Sequence, residues 1–429
     1  MSKFPKDFIF GAATSAYQIE GATADGRGPS IWETFFRERP HLDNGDIGIG
    51  HYERMPEDVA IMQQLNLQSY RFSVSWSRIL PSGKGQINQK GLDFYERLVD
   101  TLLEKNITPN LTLYHWDLPQ ALQDIGGWCS RDVAHYFGDY AAIVADRIGD
   151  RVPFWATLNE PEVIVAGYIG KELAPALEDY SLRMHVIHNL MLAHGIGIQA
   201  LRTSVPKSKV GIVLSLVPID PLDENSVEAA RRHWLRDYAV YLEAIFKGSY
   251  PEVVGPEIKD SGVEIKQGDM KLISEKLDFL GINWYLRLVV NEQDQVIEVP
   301  NAEHTLMGWE IRPEALTRTL TSIWRDYNLP PIYITENGAA LADTIKGNKI
   351  NDQGRQRYIA DHLQAISDAI AQGVNVSGYY VWSLFDNLEW SLGYSKTFGI
   401  IHVDRNTLER TPKLSARWYS DLIKRHLGS

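Results

Sequence analysis

Two glutamates carry the strongest chemical signal in this chain: Glu160 in Thr157-Leu158-Asn159-Glu160-Pro161 and Glu336 in Ile334-Thr335-Glu336-Asn337-Gly338. Each closes a short apolar, β-prone run, Phe154 to Leu158 and Ile332 to Thr335, and stands just ahead of a chain-turning Pro or Gly. A lone glutamate at a strand end is ordinarily a solvated loop residue. Two of them, each beside an Asn, suggest a pair aimed into one pocket. Two carboxyl groups facing one sugar bond are the minimal equipment for glycoside hydrolysis. On this reading Pro161 biases Glu160 towards an extended backbone, and Gly338 lets the chain turn sharply after Glu336.

The elements that must position them alternate from end to end. Strand-like runs cover 8–13, 69–74, 110–113, 154–158, 210–214, 279–283, 332–335 and 376–381. Between them lie amphipathic stretches over 56–65, 92–105, 133–148, 182–202, 226–246, 313–327 and 353–372, with a last helix over 415–426. Near-continuous apolar strands separated by helices imply buried parallel strands, and eight such units imply an α/β fold of the closed (β/α)8 TIM-barrel class. An open doubly wound sheet is the alternative. However, Gly11-Ala12-Ala13 leads into Thr14-Ser15-Ala16 and not into a glycine-rich dinucleotide turn. The lack of a linker or repeat predicts a single catalytic domain over 1–429. Glu160 then ends the fourth strand and Glu336 the seventh, both at the C-terminal mouth. Asp43 to Gly50 and Ala342 to Asp352 read as long βα loops on that same face.

Bulk properties exclude several classes. A net charge of −12 argues against nucleic acid or an anionic membrane as partner, because phosphate binding needs clustered Lys and Arg. Cys129 is the only cysteine, so no internal disulfide forms. Met1-Ser2-Lys3-Phe4-Pro5-Lys6 lacks the apolar core of a signal peptide, and no stretch approaches the ~20 apolar residues of a membrane span. The expectation is a soluble, cytoplasmic protein. Twelve Trp and twenty Tyr are consistent with a carbohydrate site, since sugars stack their C–H faces on aromatic rings. His185 and His188 have helical spacing with His194 nearby, and His115 precedes Asp117, but no thiolate or carboxylate cluster completes a zinc site. No metal is expected.

Several segments together resemble glycoside hydrolase family 1, the β-glucosidase family, over nearly the whole chain. They are Phe8 to Gly21 (FIFGAATSAYQIEG), Arg27 to Trp32 (RGPSIW), Tyr70 to Ser73, Leu113 to Pro119 (LYHWDLP), both glutamate motifs, and Val381 to Trp390 (VWSLFDNLEW). The resemblance implies a retaining β-glucosidase without cofactor, with Glu160 as acid/base and Glu336 as nucleophile, their carboxyl groups roughly 5–5.5 Å apart. It also implies that Arg71, Asn283 and Tyr285 support the nucleophile. Gln18, His115, Trp116, Asn159, Trp382, Glu389, Trp390 and Phe398 would surround the sugar, with Trp382 as stacking platform and Asn159 on the 2-hydroxyl. In relatives the Trp382–Ser383 peptide is cis, and the same is expected here. Glu389, gripping the O4/O6 edge, would repel a 6-phosphate. Asn159 and Glu160 are neighbours and would face opposite ways on a regular strand, so the strand end must depart from ideal pleating.

The implied substrates are small soluble β-glucosides or cello-oligosaccharides, which would tie the chain to cellulose degradation, with β-galactosidase or β-fucosidase activity as additions. Monomer and homo-oligomer are both compatible with the sequence. A transglycosidase would use the same residues and differ only in whether water or a sugar accepts the intermediate. A catalytically weak carbohydrate-binding barrel would have lost one of the glutamates. One stretch departs from the family, which usually carries Trp-Phe-x-Asp-Pro where this chain reads Val240-Tyr241-Leu242-Glu243-Ala244. It falls on a helix expected away from the mouth, so altered packing or subunit contacts are expected there. Aglycone preference is expected to depend on the loops Glu162 to Tyr180, Leu216 to Glu224 and Ala302 to Glu310.

Overall fold

A computed structural model describes residues 4–347 and 349–428, apart from the side chain of Lys346. The first half of the amino-terminal stretch read for a leader, Met1–Lys3, and Asn348 of the 342–352 loop lie outside the described residues. Among the described residues, eight parallel strands close into a barrel: β1 (Ile9–Ala13), β2 (Ser69–Ser73), β3 (Thr108–Tyr114), β4 (Phe154–Asn159), β5 (Lys209–Ser215), β6 (Phe279–Asn283), β7 (Ile332–Asn337) and β8 (Val376–Trp382). β8 pairs with β1, with Ala13 opposite Trp382, and this pairing shuts the ring. A helix lies between each pair of successive strands and one more, Leu414–Leu427, follows β8, as the alternation predicts.

Outer helices bury a stripe at 3.6-residue spacing, except Arg183–Ser204, which is buried nearly all round from Val186 to Gly195. In Gln89–Glu104 the buried set Leu92, Tyr95, Leu98, Val99 and Leu102 forms one face against the strands. The stretch read as one helix over 226–246 is two, Val227–Asp237 and Ala239–Lys247, broken at Tyr238 where φ is −125°. Apolar content continues across the break, so periodicity alone did not reveal it. The 342–352 loop carries a small hairpin, Thr344–Lys346 against Lys349–Asn351.

The barrel interior is packed, not hollow. Phe154, Phe279 and Tyr333, at the N-terminal ends of β4, β6 and β7, meet with ring centroids 5.6–6.0 Å apart and form its floor. Above them sit the small Ala156 and Val213, then Ala13 and Trp382. The space left open is therefore at the C-terminal end. Pairing slips once low in the barrel, between Val376 and Gly378, and three times near the open end, between Ala156 and Asn159, between Ile282 and Asn283, and between Tyr379 and Val381. Such irregularities re-aim side chains, and the three near the open end lie beside the residues singled out by the sequence.

Candidate active site

Glu160 leaves β4 in the left-handed region, at φ 50° and ψ 67°, and Pro161 opens the helix Pro161–Ile169. The expectation of an extended backbone before Pro161 is therefore wrong. Proline disfavours only the right-handed helical region before it, and the Glu160 N–H is held by the carbonyl of Val213 at 2.9 Å across the slipped β4–β5 pairing. A non-glycine residue in that region costs about 1–3 kcal/mol. The kink supplies the departure from pleating that lets both neighbours serve one site. Asn159 Oδ1 accepts from Arg71 Nη2 at 2.6 Å and from Asn283 Nδ2 at 3.1 Å, while its Nδ2 lies 3.1 Å from His115 Nε2.

Glu336 needs no kink. It sits inside β7, opposite Asn283 of β6, and both its oxygens are engaged. Arg71 Nη1 donates to Oε1 at 2.5 Å and the Tyr285 hydroxyl donates to Oε2 at 2.7 Å. Asn283 links Glu160 to the strand that carries Glu336: its Nδ2 donates to Glu160 Oε1 at 2.8 Å, and its Oδ1 accepts from the hydroxyl of the neighbouring Thr335 at 2.8 Å. Gly338 earns its place by close approach. A Cβ there would lie 1.5 Å from the carbonyl oxygen of Trp382, and the expected sharp turn is not what requires glycine. The Trp382–Ser383 peptide is cis, as expected.

Electrostatics separate the pair. Burial, then the charge of Glu336, pushes Glu160 up to about 8. Burial raises Glu336 too, but against the opposing pull of Arg71 and Tyr285. Glu160 has an amide where Glu336 has a guanidinium and a phenol, so the shared proton resides on Glu160. His115 is held well below its usual range by burial and then by Arg71, and is neutral.

Both glutamates open onto a cavity of about 520 Å³ lined also by His115, Trp116, Tyr285, Trp382, Glu389, Trp390 and Phe398. Trp390 packs on Trp116 at 4.6 Å and on Trp32 at 4.5 Å; Trp32, from the RGPSIW segment, donates to the Trp116 carbonyl at 3.1 Å. Trp116 in turn donates to the Asn159 carbonyl at 3.0 Å. His115 stacks near Trp382 at 5.8 Å, and Phe398 lies 6.3 Å from the Tyr285 ring. Burial, then Glu336, pushes Glu389 up to about 8.

Arg71 and Asn283 stand on the glutamates, Asn159 is held between them, and Gln18 is set apart. The Gln18 amide accepts from Ser15 at 2.5 Å and donates to Asn387 Oδ1 and the Leu388 carbonyl at 3.1 and 2.6 Å, so it holds the segment leading to Glu389. The three loops named for the aglycone reach the cavity through Glu162, Val163, Ala166, Leu173, Val217, Met307 and Trp309. Tyr238, Leu286 and Leu392 line it as well without any motif to announce them. Tyr238 sits at the helix break, and Tyr241 shares a small cavity with Glu162. No residue of the departing segment 240–244 lines the cavity that holds the two glutamates.

Among the described residues no group of three His, Cys, Asp or Glu is arranged to hold a metal. His188 bonds Asp269 and the Tyr250 hydroxyl, and His194 lies 2.6 Å from the Thr157 hydroxyl. No helix among the described residues is long and apolar enough to cross a membrane.

Residues 1–427 match the model of the family described as "Glycosyl hydrolase family 1". The chain belongs to that family. It is 44% identical over 438 residues to a protein of Thermotoga neapolitana named "1,4-beta-D-glucan glucohydrolase", covering 99% of each chain. It is 44% identical to "Beta-glucosidase A" of Acetivibrio thermocellus, again covering 99% of each. Among solved structures it resembles the β-glucosidase of Thermotoga maritima in complex with deoxynojirimycin, with TM-score 0.96, 43% identity and 99% of each chain covered. These likenesses agree with the family 1 resemblance read from the motifs.

Proposed function

We propose that this family 1 enzyme is a retaining β-glucosidase in which Glu336 is the nucleophile and Glu160 the acid/base, working in one domain that spans the chain. Family membership and the likeness to proteins named β-glucosidase support the activity. The roles rest on one observation: two buried carboxyls share a cavity, and only Glu336 has cationic and phenolic donors.

Glu336, oriented by Arg71 and Tyr285, attacks the anomeric carbon while Glu160 gives its proton to the leaving oxygen. The resulting ester removes the Glu336 charge. The pKa of Glu160 then falls, and it can take a proton from the water that releases the sugar. Arg71 also fixes Asn159, so the residue proposed to bond the 2-hydroxyl is positioned by the same guanidinium as the nucleophile. Trp382 forms the platform, and His115, Glu389 and Trp390 hold the outer hydroxyls. Gln18 acts through the Asn387–Glu389 segment.

β-Glucosides are the substrates, and the leaving-group half of the cavity decides how well short β-glucans compete with other aglycones. Galactosides and fucosides are further candidates, because a carboxyl at Glu389 accepts a hydroxyl in either O4 orientation. We place the protein in the cytoplasm, where a chain with one cysteine needs no oxidative stapling. The test is the anomer first formed from an aryl β-glucoside, followed by NMR. β-Glucose appearing first supports the double displacement; α-glucose first would refute it.

A further inference from the structure

The outer half of the cavity is built differently from the half that holds the two glutamates. Its walls are alkyl groups from Val163, Ala166, Leu173, Val217, Leu286 and Leu392, with the rings of Trp309 and Tyr238 beside them. One of the lining side chains carries a buried polar atom without a partner. Glu162 lines the cavity two residues beyond Glu160; its Oε2 accepts from the Ser215 N–H at 3.2 Å, and its Oε1 is buried without a partner. The remaining polar groups there are few, and Glu172 is exposed. A second sugar placed in this half would strip its hydroxyls of water against alkyl walls, which is costly without replacement partners. A flat apolar leaving group would instead gain from burial.

We infer that the leaving-group half takes an aromatic aglycone carrying a ring hydroxyl, and that Glu162 Oε1 is the group that recognises that hydroxyl. This rests on the β-glucosidase reading and names the substrate class within it. Burial holds Glu162 well above the usual carboxylate range. A hydroxyl suits either protonation state, since it donates to a carboxylate and both donates to and accepts from a carboxylic acid. Glu162 is thus a specificity residue, separate from the two that perform the chemistry.

The test is a panel of phenyl, the three methoxyphenyl and the three hydroxyphenyl β-glucosides, with cellobiose, assayed on the wild type, Glu162→Leu and Glu162→Gln. For at least one ring position the wild type should prefer the hydroxyphenyl substrate over its methoxyphenyl counterpart by about tenfold in kcat/KM, the worth of one good hydrogen bond. That ratio should collapse to about one in Glu162→Leu and be partly retained in Glu162→Gln, whose amide still pairs with a hydroxyl. Because each ratio is taken within one enzyme, general damage to folding cancels. A wild-type ratio near one at all three positions, a ratio that survives in Glu162→Leu, or cellobiose outrunning phenyl β-glucoside would each overturn the inference while leaving the β-glucosidase reading intact. No turnover of any β-glucoside would sink that reading, and the inference with it.

Discussion

The ends of β4 and β7 present the same side chain in opposite ways. Glu160 is thrown off its strand by a left-handed backbone and meets one amide; Glu336 stays within its strand, beside a slip in pairing, and is gripped at both oxygens. Burial acts on both, so desolvation alone cannot tell them apart. What distinguishes them is the company each keeps. A carboxyl with a guanidinium and a phenol remains a carboxylate and a nucleophile, and one whose nearest charge is another carboxylate holds the proton.

The largest way to break this comparison is to delete each side chain in turn. Glu336→Gly should lower turnover by at least about 10⁴-fold, because no covalent ester can form. Azide should restore part of it by entering from the vacated side, giving an α-glucosyl azide. Glu160→Ala should cost about 10²–10⁴-fold on substrates with poor leaving groups and far less on dinitrophenyl glucosides, which need no acid. Azide there should intercept the ester and give the β-azide. Identical azide products from both variants, read by NMR, would show that the two roles have been assigned without basis.

A finer cut removes one of the donors. Tyr285→Phe deletes a hydrogen bond to a charged oxygen, worth about 1.5–3 kcal/mol, so kcat/KM should fall roughly 10–100-fold. The wild-type pH profile should be a bell whose alkaline limb follows the loss of the Glu160 proton near 8. Losing the phenol weakens support for the Glu336 carboxylate and should move the acidic limb upward, with the alkaline limb nearly unchanged. An acidic limb that stays in place would mean that Tyr285 does not act on Glu336.

Much of this arrangement was legible in the sequence because its signals are local. Eight apolar runs gave the barrel, and short motifs fixed which residues stand at each strand's end. The backbone at Glu160 was misread because the pre-proline rule speaks only of the next residue, while the kink is set by pairing with Val213, 53 positions away in numbering (213 − 160). Gly338 was misread for a similar reason: the atom it must avoid belongs to Trp382 on the next strand. Tyr238, at an unforeseen helix break, and Glu162, inside a loop named only as a range, had no periodicity to mark them. Residues that shape the leaving-group half come from many loops, and loop placement is a tertiary property.

The same comparison can also be read through stability, where the change expected at Glu160 is the smallest. The folded-state pKa of Glu160 lies above its unfolded value, so its contribution is fully present below the unfolded value of about 4.5 and is lost as pH rises towards 8. Glu160→Gln removes a group that resists ionisation and should raise the melting temperature at pH 8 by a few degrees, with little change near pH 4. Glu336→Gln should act in the other direction. It leaves the Arg71 guanidinium buried opposite a neutral amide, and stranding one member of a buried pair costs about 3–5 kcal/mol. Calorimetry of the two variants at pH 5 and pH 8 decides the matter. If both lower the melting temperature equally at pH 8, the two carboxyls are held alike, and the asymmetry that separates acid from nucleophile is lost.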